Sequence, residues 1–521
     1  MPVRSSGCYL SEQSGGIEFR DQTSITVRRA KGHPKAKDGV DDVPCTSPPT
    51  KDLSLSLTLI KPAHTSIPWI GEELLQQMPM PMPVLPANML SPAAFRSQLY
   101  SEFIDIYIPK TDRLDHFSSF FERIAAIPTE QPALLESLDA LSLATLGSLS
   151  KDKTLLNLSV RTYGRALKSL GMAISRAAGD ENVVNSDDLL ATASVLSTCA
   201  LYDEIGQHAD GWGKHVKGCQ QLITARSPES IKSELSLLLF HNTRHGALIC
   251  ALIERKAPLM ARPDWRSVAL RSPIQDTSAL FYDIAIQIPG MLERYDSLIG
   301  DPLLASLDSD TTLSRVDGIL VECQRLESDL HSWLTNWQFR TLFGQACTAH
   351  ENGILYRETS IDEFPTFTSL CADRTFETAF MFPSFAVAYW LCTHWLCLHF
   401  LRTTIQSLHN LRQVIDETWY PEPGDLVAED ELLMLTFNIC KCIPYFCEPV
   451  SCSTGQCGSF LPIRTAAIYF TLHGHWKHAK WVGAIRNSIF VKGMSPPNVR
   501  EPPSMLSNLK KPLYTRSVLS V

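Results

Sequence analysis

The sequence predicts an all-α fold: a large multi-helix body that follows a disordered N-terminal arm. Two observations predict this class. From residue 91 onward, apolar residues recur at steps of three and four almost without interruption, whereas runs of alternating β-branched residues are nearly absent. The first 90 residues are rich in Ser, Pro, Lys and Asp, and such a composition buries too little apolar surface to offset the loss of chain entropy.

The 521 residues divide into three predicted parts. Residues 1–90 form a disordered arm and linker, with a basic run at residues 28–37. Residues 91–490 form the helical body, which is too long for one ordinary core. Residues 491–521 are predicted to be a flexible C-terminal tail.

The first helix of the body is predicted along an apolar face that runs from Phe95 to Tyr107, and Pro109 ends it. Ser186 is predicted to be the hydroxyl N-cap of a later helix whose first turn carries Asp187 and Asp188, as the helix dipole favours. The remaining segments with helical apolar periodicity are residues 133–149, 155–177, 235–256, 274–298, 312–337, 375–408, 429–447 and 459–489.

Charge and cysteine content restrict the class of protein. The formal charge of −8 argues against a body that offers a nucleic-acid surface, so any DNA contact must be local. The sequence starts without an apolar signal segment, and many of its 15 cysteines lie inside apolar helical patterns. A reduced thiol at such a position behaves as a small buried hydrophobe, so we expect a reducing, intracellular compartment.

Residues 378–401 contain no Asp, Glu, Lys or Arg over 24 residues, which is long enough to cross a bilayer. The stretch also contains Pro383, His394 and His399, and no basic cluster flanks it. A central helix buried on all sides has the same signature. We therefore expect a buried helix and no membrane contact.

The segment HADGWGKHVKGCQQLITARSPES, residues 208–230, places an acid, two histidines and a cysteine close together. Its spacing predicts a helix with Asp210 as N-cap, on which His215 and Cys219 lie four residues apart on one face. A zinc site needs three or four protein ligands, and this helix face supplies only two. We interpret the segment as a packed helix, with metal binding or catalysis as the alternative.

The sequence contains no other recognised catalytic motif. GWGK at 211–214 has no preceding strand, and Asp187 and Asp188 lack the further acid of a magnesium-binding aspartate motif. Two possible metal sites stay open. His473, His475 and His478 could supply two ligands from one helical face, and five cysteines lie between Cys440 and Cys457, although without C-x-x-C spacing. We interpret Cys440 as part of a helix interior and Cys452 and Cys457 as loop thiols. We predict no catalytic, cofactor-binding or metal-binding residues in this chain.

Taken together, several segments resemble the large helical regulatory region of fungal transcription factors of the binuclear zinc-cluster type. The resemblance is carried by YGRALKSLGMAI at 163–174, DDLLATASVLSTCALYDE at 187–204, GWGKHVKGCQQLITARSPES at 211–230, RHGALICALIERKAPLMARPDW at 244–265 and CKCIPYFCEPVSCSTGQCGSFLPIRTA at 440–466. The resemblance gives Trp212, His215, Gly218 and Leu222 structural roles and implies a glycine loop in the last segment. Arg226-Ser227-Pro228 replaces the usual Arg-Gly-Pro.

Family members carry six cysteines near the N-terminus that hold two zinc ions and present basic residues to the major groove. This chain has only Cys8 and Cys45 in its first 198 residues, so the cluster cannot be built from it. We expect no cofactor in this chain, with zinc only if an upstream cluster has been omitted from the gene model. The other reading is that the protein has lost the module.

The resemblance implies a nuclear transcriptional regulator, not an enzyme, whose body binds partners or a small effector, and a metabolic or secondary-metabolite gene set is its expected target. Expected partners are the transcription machinery or other zinc-cluster factors, as a homodimer or heterodimer. Arg28, Arg29, Lys31, Lys35 and Lys37 are candidates for nuclear import or phosphate contact. The alternatives are a protein that dimerises with an intact zinc-cluster factor and titrates it, and an all-α metal-dependent enzyme that uses the histidines at 473–478.

Overall fold

The computed structural model describes residues 92–109, 119–127, 129, 131–177, 186–202, 205, 211–271, 277–301, 309–343 and 355–497. The N-terminal arm with its basic run, and the C-terminal tail beyond residue 497, lie outside the described residues. The described part of the chain is built almost wholly from α-helices, which confirms the all-α prediction.

The first helices pack around one cluster of buried residues, which we call the N-terminal core; Leu134, Leu190 and Phe240 lie in it. The first helix ends at Tyr107, two residues before Pro109, as predicted. The helices of this half are α1 (Pro92–Tyr107), α2 (Ser119–Ala125), α3 (Pro132–Ser150), α4 (Lys153–Ala177), α5 (Asp187–Cys199), α6 (Gly211–Thr224), α7 (Glu234–Glu254) and α8 (Pro263–Leu270).

The remaining elements enclose a second cluster, the C-terminal core, in which Phe281, Leu401 and Phe446 are buried. These elements are α9 (Thr277–Ala285), α10 (Ile288–Ile299), α11 (Ser309–Phe343), β1 (Arg357–Ser360), α12 (Pro365–Leu370), β2 (Thr378–Met381), α13 (Phe385–Ile415), α14 (Glu429–Cys447), α15 (Thr454–Leu472) and α16 (Trp476–Ser488). Short 3-10 turns lie at Pro228–Ser230, Leu259–Ala261, Ile361–Glu363 and Pro449–Ser451.

Helix α7 belongs to both cores. Phe240 and Ala247 lie in the N-terminal core, whereas Leu248 and Leu252, on the following turns, lie in the C-terminal core. Trp212 packs against both clusters as well. The two halves therefore share one continuous helix, and a change in its position affects both.

The predicted helix at 375–408 was wrong over its first residues. Thr378–Met381 is strand β2, which pairs antiparallel with β1 in the register Arg357 to Met381. Helix α13 begins only at Phe385, because Pro383 interrupts the chain and the Ser384 hydroxyl accepts the backbone N–H of Val387 at 3.3 Å. From Phe385 onward the buried-helix interpretation is confirmed, since Leu391, Cys397 and Leu401 are buried.

Two other predicted segments are each divided into two helices. The described part of residues 274–298 contains α9 and most of α10, and α10 starts at Ile288 with a proline in its first turn. Residues 459–489 form parts of α15 and α16, separated by a turn in which Gly474 adopts a positive φ of 72°. Apolar periodicity continued across both breaks and therefore did not mark them.

The predicted N-cap position of Ser186 is confirmed, but the predicted capping by its hydroxyl group was wrong. Ser186 is the N-cap residue of α5, but its side chain makes no capping hydrogen bond.

Among the described residues, no helix combines the length and apolar character that a bilayer crossing needs.

Candidate functional site

The segment that suggested chemistry at 208–230 forms a packed helix, α6, as predicted. His208 and the proposed N-cap Asp210 lie outside the described residues. His215 is buried, its Nε2 lies 2.7 Å from the Tyr163 hydroxyl, and burial lowers its pKa to about 4. Cys219 lies beside Ser194, with 3.8 Å between Sγ and Oγ, and burial raises the pKa of its thiol to about 12. The two side chains therefore join α6 to α4 and α5 and behave as packing groups.

Arg226 has a role that the sequence analysis missed. Its Nη1 donates to Asp187 Oδ1 at 2.7 Å and its Nη2 donates to the Ser186 carbonyl at 2.6 Å. The same carboxylate accepts from the Ser236 hydroxyl at 2.8 Å. Arg226 and Asp187 thus bind the end of α6 and the start of α7 to the N-terminus of α5. Ser227 has an ordinary extended backbone, with φ of −79°, so the position does not require glycine.

The three histidines near the C-terminus do not form one cluster. His473 stacks on Tyr469 with 4.2 Å between ring centroids, and its Nδ1 lies 3.3 Å from Glu429 Oε1. His478 packs against the rings of Phe437 and Phe470. The rings of His475 and His478 are 6.2 Å apart. Over the described ranges, no three His, Cys, Asp or Glu side chains are arranged to hold a metal ion.

The cysteines at 440–457 are also separated. Cys440 lies inside α14 and is buried, as predicted, and Cys452 lies in the turn before α15. The prediction that Cys457 is a loop thiol was wrong, since Cys457 lies inside α15. Its Sγ lies 3.7 Å from the Tyr107 hydroxyl. The expected glycine loop is therefore the first turns of a helix that packs on the end of α1.

A cavity of about 290 Å³ lies where the two cores meet. Its walls come from the end of α1 and from α2, α5, α6, α7, α13 and α15. This volume is at the lower end of the range of small-molecule sites in proteins. Helix α13 forms one wall of the cavity, because Phe385, Tyr389, Thr393 and Leu396 on its successive turns line it. We call it the central cavity.

The polar groups of the central cavity are mostly bonded within the protein. His245 Nε2 and the Tyr389 hydroxyl share a short hydrogen bond that joins α7 to α13. Loss of hydration lowers the pKa of His245 to about 4 and raises that of Tyr389, so both are neutral at neutral pH. The Thr243 and Thr393 hydroxyls donate to Leu239 and Tyr389 carbonyls one turn earlier. The cavity therefore suits a small and mainly apolar molecule.

Gly458 on α15 preserves space in this wall. A Cβ atom at this position would lie 3.5 Å from the rings of Phe385 and Tyr389, which is ordinary contact distance. A larger side chain at position 458 would therefore extend toward the two aromatic rings that line the cavity. The sequence offered no signal for this arrangement, because α7, α13 and α15 are far apart along the chain.

Comparison with known proteins identifies the first half of the body. An uncharacterized protein of Emericella nidulans, AN5342, is 26% identical to this chain over 236 residues, which is 43% of this chain and 46% of that protein. The match thus spans less than half the length of that relative. No solved structure matches the chain. Residues 98–352, from α1 through α11, match the fungal specific transcription factor domain. Residues 98–352 therefore form a fungal specific transcription factor domain, which is the family that this part of the chain matches.

Proposed function

We propose that this protein is a nuclear transcriptional regulator, and not an enzyme, whose helical body binds a small and mainly apolar effector in the central cavity. The observation that carries the proposal is the fungal specific transcription factor domain at residues 98–352. The position of the cavity supports the effector, because helices inside that domain, α5 to α7, and helices beyond it, α13 and α15, form its walls together.

The effector acts by differential binding. A ligand between α7 and α13 contacts both cores at once, so it stabilises the arrangement in which the two cores close on it. Because α7 is shared by the cores, this arrangement changes the outer surface that partners contact. The partners we propose are the transcription machinery or other zinc-cluster factors, in a homodimer or a heterodimer.

Nuclear entry or contact with DNA phosphates is assigned in this proposal to Arg28, Arg29, Lys31, Lys35 and Lys37, which lie outside the described residues. Five basic residues among ten, with no acid between them, fit an import signal or sequence-independent phosphate contact. The genes under control are proposed to be a metabolic or secondary-metabolite set.

The proposal is tested by transcript profiling in the organism that encodes the protein. Deletion of the gene should change a defined set of transcripts, and the fluorescently tagged chain should accumulate in the nucleus. Replacement of the five basic residues with glutamine should reduce that accumulation. Gly458→Leu, which fills the central cavity, should fix the transcripts of the set at one level across growth conditions that change them several-fold in the wild type.

Gly483→Leu is the matched control, because a Cβ at Gly483 on α16 would have no atom within 4 Å. It should behave as the wild type. Gly458→Ala, whose added methyl group makes only ordinary contacts, checks that the effect of leucine comes from lost volume and not from lost folding. Unchanged transcripts after deletion, or exclusion of the tagged wild-type chain from the nucleus, would contradict the proposal.

A further inference from the structure

A second cavity, of about 190 Å³, lies between α7, α10, α13 and α15. Four residues line both this cavity and the central cavity: Ile253, Leu461, Arg464 and Ile468. The two spaces are therefore neighbours that share a wall on α15. The remaining lining of the second cavity includes His399 and Thr403 on α13 and Tyr295 on α10.

His399 is the unusual group in this lining. Its side chain is buried, with 5% of the residue exposed, and it meets the Tyr469 ring edge-on at 5.2 Å between centroids. Neither of its ring nitrogens has a hydrogen-bond partner among the described residues. A buried imidazole in a folded protein usually has at least one nitrogen in a hydrogen bond, because an unsatisfied buried polar atom costs about 1 to 3 kcal/mol.

Thr403 lies one turn further along α13, on the same face as His399. Its Oγ1 is also buried and also lacks a partner within the described part of the chain. The neighbouring Thr404 lines the same cavity but donates its hydroxyl to the Phe400 carbonyl at 2.8 Å. Within the lining of this cavity, the buried polar atoms without a partner therefore belong to two side chains on one face of α13.

The charge state of the site follows from its surroundings. Burial, together with the nearby His473, lowers the pKa of His399 to about 4, so the imidazole is neutral at neutral pH and offers one donor and one acceptor. Three charged side chains line the cavity: Arg255, Asp296 and Arg464. Arg255 and Asp296 bind each other through two hydrogen bonds of 2.7 and 2.8 Å, so this pair offers no unpaired charge to a ligand.

We propose that the second cavity binds an uncharged small molecule whose ring or chain fills the apolar walls and whose hydroxyl or carbonyl group bonds to His399 and Thr403. The juxtaposition of an apolar cavity with two side chains whose buried polar atoms lack a partner among the described residues assigns this ligand class. The site is distinct from the central cavity, and its binding in solution does not depend on the role in transcription.

The test uses the purified full chain and 2-naphthol, a neutral fluorescent probe with one hydroxyl group. Titration should show saturable binding of 2-naphthol. The affinity should be at least tenfold higher than that for naphthalene, which lacks the hydroxyl group, and than that for 2-naphthoate, which carries a charge. His399→Phe and Thr403→Val should each weaken 2-naphthol binding about tenfold, which is the effect of one lost hydrogen bond of about 1.4 kcal/mol. Thr404→Val, the matched control, should change it less than twofold.

Two further measurements make the outcome decisive. Gly458→Leu, which fills the central cavity, should leave 2-naphthol binding unchanged. This variant therefore distinguishes binding in the second cavity from binding in the central cavity. The urea midpoint of His399→Phe should equal or exceed that of the wild type, because the substitution removes two unsatisfied polar atoms. A lower midpoint would show that His399 has a structural partner and would overturn the proposal.

The proposal is also overturned by any of three binding results. These are the absence of saturable 2-naphthol binding, equal affinities for 2-naphthol and naphthalene, and full binding by the His399→Phe and Thr403→Val variants. Each can occur while the role in transcription stands. Conversely, unchanged transcripts after gene deletion would leave the binding result intact, so the two proposals fail separately.

Discussion

Arg244 carries the charge that is most deeply placed in the described structure. It has no exposed surface, its Nη2 donates to Asp283 Oδ1 at 3.2 Å, and its Nε and Nη1 lack partners among the described residues. Burial lowers its pKa to about 10, so it stays charged at neutral pH. Asp283 also accepts from Arg266 Nε at 3.1 Å and Nη2 at 2.7 Å. One carboxylate is therefore shared by two guanidinium groups.

Because Asp283 is shared, substitution of Asp283 and substitution of Arg244 should change the free energy of unfolding by different amounts. Asp283→Asn should lower the free energy of unfolding by about 3 to 5 kcal/mol, because it leaves a buried cation without a counter-charge. Arg244→Met should cost less, about 0 to 2 kcal/mol, because Asp283 keeps its two bonds to Arg266 and the desolvated charge disappears. Urea denaturation at pH 7 measures both values. A larger loss for Arg244→Met than for Asp283→Asn would contradict the assignment.

At residue scale, part of the site could be predicted from sequence. The family resemblance correctly gave His215 a structural role, and its hydrogen bond to Tyr163 joins two of the segments that carried that resemblance. The bond from Arg226 to Asp187 could not be predicted, because nothing in either segment specifies which residue lies opposite it across 39 positions of chain.

At the scale of elements, the start of α13 separates what apolar patterning predicts from what it misses. The burial of this helix could be predicted from its uncharged sequence. Strand β2 could not, because a short apolar run has no periodicity that distinguishes a buried strand from a buried helix. Its partner β1, at Arg357–Ser360, carries exposed polar residues and gives no strand signal of its own.

Two of the serine N-caps, Ser384 and Ser186, allow a matched test of helix capping. Ser384→Ala should lower the free energy of unfolding by about 1 kcal/mol, because the Ser384 hydroxyl accepts the Val387 N–H at the start of α13. Ser186→Ala should cost only a few tenths of that, because the Ser186 side chain makes no capping bond at α5. Thermal or urea unfolding of the two variants checks the difference, and equal losses would show that hydroxyl capping does not explain the boundary of α13.

At the scale of the whole molecule, the fold class could be predicted but the two cores could not. Contacts that close the body join distant segments, such as the Ser453 N–H to the Ile106 carbonyl and the Tyr107 hydroxyl to Cys457. The central cavity depends on such contacts, since its walls come from residues between Tyr107 and Pro497. Local periodicity specifies which face of each helix is buried, but not which helix covers it.

Four histidines with lowered pKa values predict how the stability of the whole molecule depends on pH. Burial lowers the pKa of His215, His245 and His399 to about 4 and that of His394 to about 3, from an ordinary value of 6.5. Between about pH 6.5 and 4 the unfolded chain binds protons at these positions and the folded chain does not. Their contribution to stability is therefore complete above pH 6.5 and is lost as the pH falls through this window.

The size of the effect can be isolated by removing one of these histidines. Each should contribute a loss of about 1.4 kcal/mol per pH unit between pH 5.5 and 4.5, where the unfolded imidazole is mostly protonated and the folded imidazole is mostly neutral. The free energy of unfolding is measured by urea denaturation at these two pH values for the wild type and for His399→Phe. Its change per pH unit should differ between the two proteins by about this amount, since the contributions of carboxyl groups cancel in the comparison. Parallel slopes would mean that His399 is protonated in the folded protein, and therefore that its nitrogens are not isolated from solvent.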